Sequence, residues 1–137
     1  MGAKEEQLIK EYIAAVNSHD VDKIVAFFTD DCEYEDAIMR EVVRGKPELR
    51  AYFVEWFAVF PDLSFVIKSH YLSPEGGGVE FTFSGTHTNP VMGLPATNKP
   101  FTVRGASIVE LREGKIRRES DYWDAASFMT QIGMMPT

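Results

Sequence analysis

FAVFPDLSFVI (57–67) holds the point where the chain changes period, because helical spacing stops at Pro61 and alternation begins at Leu63. Upstream, Leu49, Tyr52, Phe53, Trp56, Phe57 and Phe60 recur every three or four residues as one apolar stripe. Gly45, Lys46 and Pro47 mark the turn into that helix, with Pro47 at its first position. Proline ends such a run because it lacks an N–H and its ring collides with the preceding turn. Downstream, segments 63–72, 79–88, 101–111 and 115–123 are rich in Val, Ile, Phe, Thr and Tyr and read as four strands. Residues 73–78 read as a flexible hairpin loop with Gly76 to Gly78 at its tip, and Glu113-Gly114 as a tight two-residue turn. Segment 89–100, with three prolines and Gly93, is too long and apolar for a simple turn and suits a lid or rim.

Towards the N-terminus, residues 4–16 place Leu8, Ile9, Tyr12, Ile13 and Val16 on one helical face. After a break at 17–19, Asp20 is positioned to N-cap a short second helix carrying Val21, Ile24, Val25 and Phe28, which residues 29–31 end. Residues 32–36 alternate weakly, and 41–44 read as a short extended segment. At the other end, Asp124 is placed to cap a helix over 125–132, stopped by Gly133 and kept from resuming by Pro136. Helices first, then adjacent antiparallel strands, then a closing helix argue an α+β fold, with helices on one face of a curved sheet that encloses an apolar pocket.

A chain of 137 residues suits a single domain over 1–137, able to bury about 68% of its unfolded surface without disulfides or metal. With 21 acidic against 14 basic residues, its net charge of −7 repels a phosphate backbone or an anionic membrane, which argues against nucleic-acid and membrane partners. The single cysteine, Cys32, has no internal partner and fits a reducing, cytoplasmic setting. No apolar run approaches the roughly 20 residues that span a bilayer, and Gly2 is followed by Glu6 where a myristoylation signal needs Ser or Thr.

His19, His70 and His87 are scattered and form no metal motif, so no metal is expected. The acidic run Asp30, Asp31, Glu33, Glu35, Asp36 reads as solvated charge. Asp121 lies inside a strand segment, and the turn at 113–114 sets it opposite Ala106, or opposite Gly105 after a one-residue slip. A carboxylate beside Tyr122 and Trp123 and opposite so small a residue has room for a ligand and reason for a raised pKa. Its face also carries Lys115, Arg117 and Glu119, a pattern that favours an exposed, ion-paired Asp unless a bulge, for which Gly105 is a candidate, changes the parity. His87 shares parity with Val79, Phe81, Phe83 and Gly85, which directs it from an apolar face at the mouth of the 89–100 loop. It either bonds to backbone or contacts a ligand. Arg104 is the basic group nearest Asp121 in the proposed hairpin, where a cross-strand ion pair is the plain alternative.

The stretches AVFPD (58–62), GTHTNPVMGLPATNKPF (85–101) and GKIRRESDYWDAASFMTQIG (114–133) resemble the SnoaL-like polyketide cyclase family, through their order and spacing. The resemblance implies the ketosteroid isomerase and nuclear transport factor superfamily: a cystatin-like α+β cone with a curved, antiparallel-rich sheet around N-terminal helices and an apolar cavity. Such cyclases close a polyketide ring by intramolecular aldol condensation with an aspartate as acid/base and no cofactor. Asp121 matches that aspartate and Asp124 the second aspartate of the segment, and His87 matches the family histidine that would hold or polarise an oxygen. Trp56, Phe60, Phe83, Arg104, Ser107 and Trp123 would line the hydrophobic substrate's pocket. Ser107 stands where cyclases of the family can carry a histidine. The first expectation is therefore cofactor-independent proton abstraction α to a carbonyl on a polyketide- or steroid-like molecule, with Asp121 as base. Two others stand beside it: epoxide-hydrolase-like water activation by Asp121 with Arg104 and a carboxylate such as Asp36, and a non-catalytic small-molecule binding module, homodimeric through the sheet.

Overall fold

A computed structural model of the chain describes residues 3–134; Gly2 and Pro136 lie outside them. Helix α1 (Ala3–Ser18) buries Ile9, Tyr12, Ala15 and Val16 along one face. Asp20 caps α2 (Val21–Val25) by accepting a hydrogen bond from the Lys23 N–H. Phe28 belongs not to this helix but to β1 (Phe28–Asp36), as do the residues expected to end the helix. Its ring is fully buried, and just before it Phe27, in the turn that leaves the helix, accepts from Ile116 N through its carbonyl. Strand pairing thus starts where an eighth helical residue was expected.

Strand β2 (Glu41–Arg44) runs antiparallel to β1. Helix α3 (Gly45–Val59) starts two residues ahead of Pro47, which still sits in the first turn where its missing N–H leaves no gap. Beyond Pro61 come β3 (Ser64–Ser73), β4 (Gly76–Thr86), β5 (Pro100–Arg112) and β6 (Lys115–Trp123), then α4 (Ala125–Gln131) capped by Asp124. The glycines expected at a hairpin tip are inside β4. A Cβ on Gly77 would lie 1.9 Å from the Tyr71 carbonyl oxygen, so only glycine allows the strands this close.

The six strands form one sheet in the order β2-β1-β6-β5-β4-β3. All neighbours are antiparallel except β1 and β6, which run parallel, so the final strand inserts between the first strand and the meander. This is the α+β architecture expected, with an antiparallel-rich sheet that is mixed at the β1–β6 pair. Phe57 and Phe65 pack against both core clusters, one beneath α1 and α3 and one around Phe60, Phe101, Phe128 and Ile132. No helix among the described residues is long and apolar enough to cross a membrane.

One irregularity positions the chemistry. Leu111 pairs with Ile116, but Glu110 pairs with Arg118, so Arg117 is an extra residue in β6. This bulge, not one at Gly105, sets Asp121 opposite Ser107 instead of Ala106 or Gly105. Because side chains alternate, the extra residue sends Glu119 and Asp121 to the inner face and leaves Lys115 and Arg117 off it.

Candidate active site

A cavity of about 90 Å³ opens between α3 and the inner face of the sheet. Trp56, Phe60, Phe83 and Trp123, all expected from the sequence, are in its wall. Tyr52, Phe57 and Phe128 extend the aromatic surface, and Met92 reaches it from the 89–99 loop, which thus forms part of the rim. Val91 and Leu94 clasp that loop through two backbone hydrogen bonds, and the turn between them presents Met92. The polar lining is sparse: Asp36, Asp121 and the hydroxyls of Tyr34 and Tyr52. No basic side chain is among the described residues that line it.

Asp121 is held from two sides. Tyr34 donates its hydroxyl to Oδ2, and Ser107 Oγ lies 2.5 Å from Oδ1. Burial pushes its pKa up, opposed by hydrogen bonds from Glu119, Ser107 and Tyr34 and reinforced by the nearby charge of Asp36. Asp121 is half-buried and is part of the cavity lining.

Deeper in, a pocket of about 40 Å³ reaches Tyr12, Ser107 and Glu119. Glu119 is 4% exposed, accepts the Tyr12 hydroxyl at 2.9 Å on Oε1, and has Ser107 Oγ 3.4 Å from Oε2. Its pKa is driven well above the ordinary carboxylate value by burial first and by the Asp121 charge second. Tyr12 and Tyr34 are likewise pushed well above their usual range by burial and by these carboxylates, so both stay protonated donors.

Asp36 is buried, not solvated with the rest of its acidic run. It stands opposite Asp121 in the β1–β6 register. Its carboxylate accepts from Ile38 N at 3.1 Å, Met39 N at 3.0 Å and Trp123 Nε1 at 3.0 Å.

Two residues expected at the site lie elsewhere. Arg104 is exposed on the outer face of β5, one residue out of phase with the inward series Val103, Gly105, Ser107, and does not meet Asp121. The strand alternation that points Ser107 inward points Arg104 out. His87 lies just beyond β4, completely buried near Phe128 and outside the cavity lining. Its Nδ1 is 3.0 Å from Thr97 Oγ1, and its backbone pairs with Lys99 O and Asn98 N, so it fastens the base of the rim loop. Asp124 caps α4 through Ser127 N and is exposed.

Tyr34, Tyr52 and Glu119 were not singled out from the sequence. For Tyr34 a signal existed in the weak alternation Cys32, Tyr34, Asp36, all three of which are buried. For Glu119 the signal misled, because the Arg117-Arg118 pair just before it suggests an exposed, ion-paired carboxylate, whereas Arg118 turns away to Glu110.

The site is thus an aromatic cavity between helix and mixed sheet, with the carboxylates of Asp36 and Asp121 in its lining. Residues 6–132 match the model of the SnoaL-like polyketide cyclase family, and the chain belongs to that family. Among solved structures, TsrD from Streptomyces laurentii superposes with a TM-score of 0.85 at 24% identity, covering 97% of each chain. AclR from Streptomyces galilaeus gives 0.85 at 20% identity, over 100% of this chain and 89% of that one. A protein of ketosteroid isomerase-like fold from Catenulispora acidiphila, solved with trimethylamine, gives 0.81 at 19% identity over 93% of each chain. At these identities the likeness is one of fold. No curated protein matches the chain significantly.

Proposed function

We propose that this chain is an enzyme that moves a proton α to a carbonyl of a hydrophobic substrate, without a cofactor, so that the substrate cyclises or isomerises, with Asp121 as the base. The observation that carries this reading is the setting of Asp121: a carboxylate at the floor of an aromatic cavity, oriented by Tyr34 and Ser107 and raised in pKa by burial. The family to which the chain belongs supports the same chemistry.

In the proposed step, Asp121 takes the α-proton and the electron pair of the C–H bond moves onto the carbonyl oxygen. Tyr52, which lines the cavity and makes no hydrogen bond among the described residues, is the available neutral donor for that oxygen. The enolate then either recovers the proton from Asp121 at another carbon, or attacks a second carbonyl carbon whose alkoxide takes the proton. His87 acts as a positioning residue, holding the rim loop that carries Met92. The epoxide plan would set Arg104 beside Asp121, whereas Arg104 is exposed on the other face of the sheet.

The test is Asp121→Asn assayed against a panel of aromatic polyketides and steroids. Loss of turnover by about 10²-fold or more with ligand binding kept supports the base. Binding without turnover by the wild type across the panel would instead make the chain a carrier.

A further inference from the structure

Two carboxyl groups two residues apart on β6 share one buried pocket, and the catalytic reading uses only Asp121. Glu119, the more deeply buried of the two, is left with its hydrogen bonds to be explained. Around it stand Tyr12 from α1, Tyr34 from β1 and Tyr52 from α3, with Ser107 on β5 and Asp36 beyond Asp121. None of these is a cation. Arg118, next in sequence, turns outward to Glu110 and Ser120.

Ser107 decides the proton count. Its Oγ lies 2.5 Å from Asp121 Oδ1 and 3.4 Å from Glu119 Oε2, but a hydroxyl has one proton to give. The shorter contact takes it, so the contact with Glu119 is satisfied only by a proton on Glu119 itself. Tyr12 donates to the other oxygen, Oε1, which is then the carbonyl oxygen of a neutral acid. Every bond then has one sense: Tyr12 donates to Glu119, the Glu119 proton faces Ser107 and the adjoining Asp121, Ser107 donates to Asp121, and Tyr34 donates to Asp121 from the far side.

We propose that Glu119 is a positioning residue that works in its protonated form, ordering the Ser107 hydroxyl so that Asp121 carries the single negative charge of the pair. Two buried carboxylates without a cation cannot both ionise cheaply, and the hydrogen-bond order selects which one does. The burial-driven rise of the Glu119 pKa agrees with this. A chain of aligned donors also polarises each bond in turn, which strengthens the hold on the charged end. The inference rests on the Asp121 reading for its catalytic meaning, but its proton count stands apart from it.

The experiment therefore uses no substrate. Carboxyl-carbon NMR of the wild-type protein, assigned through the backbone, follows Glu119 from pH 4 to pH 8. The expected result is a Glu119 signal that stays in the protonated position well above the model value of about 4.3. Thermal unfolding of wild type and Glu119→Gln over the same range supplies the second readout. A raised folded-state pKa means the folded protein binds more protons than the unfolded chain, so wild-type stability declines as pH rises from about 4.3 to the folded value. Glutamine keeps a neutral donor and acceptor without titrating. The melting temperature of the variant should thus gain on wild type by about 3 °C or more over that span. Ionisation of Glu119 in the ordinary range, or parallel wild-type and variant curves, would overturn the proposal. If Glu119→Gln does not fold, the wild-type titration alone decides it. A failed Asp121→Asn assay with a protonated Glu119 would sink the base reading and leave this one standing.

Discussion

Tyr34 on β1 donates its hydroxyl to Asp121 on β6, across the one parallel pairing in the sheet. The contact joins residues 87 positions apart and depends on the last strand inserting beside the first. It also sets the direction of the pH response. A hydrogen bond to the ionised form lowers a carboxyl pKa, so Tyr34 opposes the burial that raises Asp121.

Removing that hydroxyl in Tyr34→Phe should therefore raise the Asp121 pKa further. A base works ionised, so activity is present above its pKa and is lost as pH falls through it. The acid limb of kcat/KM should move to higher pH by about one unit in the variant, with about a tenfold loss of rate on that limb. Chemical denaturation should show a cost of about 1–3 kcal/mol for the missing partner of a buried acceptor. A pH profile that does not move would separate Tyr34 from Asp121.

The two tryptophans of the chain, Trp56 and Trp123, both line the cavity. Any ligand that fills it should change the intrinsic fluorescence, which provides a binding assay before the substrate is known. Trp56 stacks on Phe60 with ring centroids 5.7 Å apart, whereas Trp123 donates Nε1 to Asp36. Trp56→Phe should keep the protein's stability and remove part of the ligand response. Trp123→Phe should in addition lose about 1.5–3 kcal/mol of stability, the worth of a hydrogen bond to a buried charge. A ligand that binds by calorimetry yet leaves both emissions unchanged would place binding elsewhere.

Gly105 sits on β5 where a Cβ would lie 2.8 Å from Phe81 Cε1 and 3.0 Å from the Tyr122 carbonyl oxygen. Phe81 is part of the cavity wall, so Gly105→Ala should push that ring into the cavity. The expected outcome is destabilisation of about 1–3 kcal/mol by denaturant titration, together with weaker ligand binding. Unchanged stability would mean that Phe81 has a second rotamer open to it.

Val66, Ile108 and Tyr122 are exposed on the outer face of the sheet. Exposed apolar side chains on this face suit a self-contact, and we propose a homodimer through it. Ile108→Glu, which leaves the cavity side untouched, should shift sedimentation towards the monomer at micromolar concentration. A wild type that sediments as a monomer at high concentration would dispose of the dimer.

Much of the fold is legible locally. The stripe on α3, the stop at Pro61, the Asp20 and Asp124 caps and the Glu113-Gly114 turn each express physics contained within a few residues. The cavity aromatics were legible for a similar reason, since helical and strand periodicity say which side chains share a face. Asp121 and Ser107 were each singled out from the sequence, but not their partnership, because a count from the turn puts Ala106 opposite Asp121.

What the sequence alone determined is the order and type of most elements and the aromatic wall. What only the tertiary structure decided is that Asp121 faces this wall, and which polar groups meet its carboxylate. The bulge at Arg117 turns Glu119 and Asp121 inward while their arginine neighbours turn away, and nothing in KIRRESD (115–121) selects that register. It is settled by long-range burial: Ile116 is packed beneath Phe28, and Tyr12 and Tyr34 supply hydroxyls from elements at the far end of the chain. His87 and Arg104 show the same dependence from the other side. Both carry chemistry that a short window recognises, and the packing of loop and strand places neither of them at the cavity.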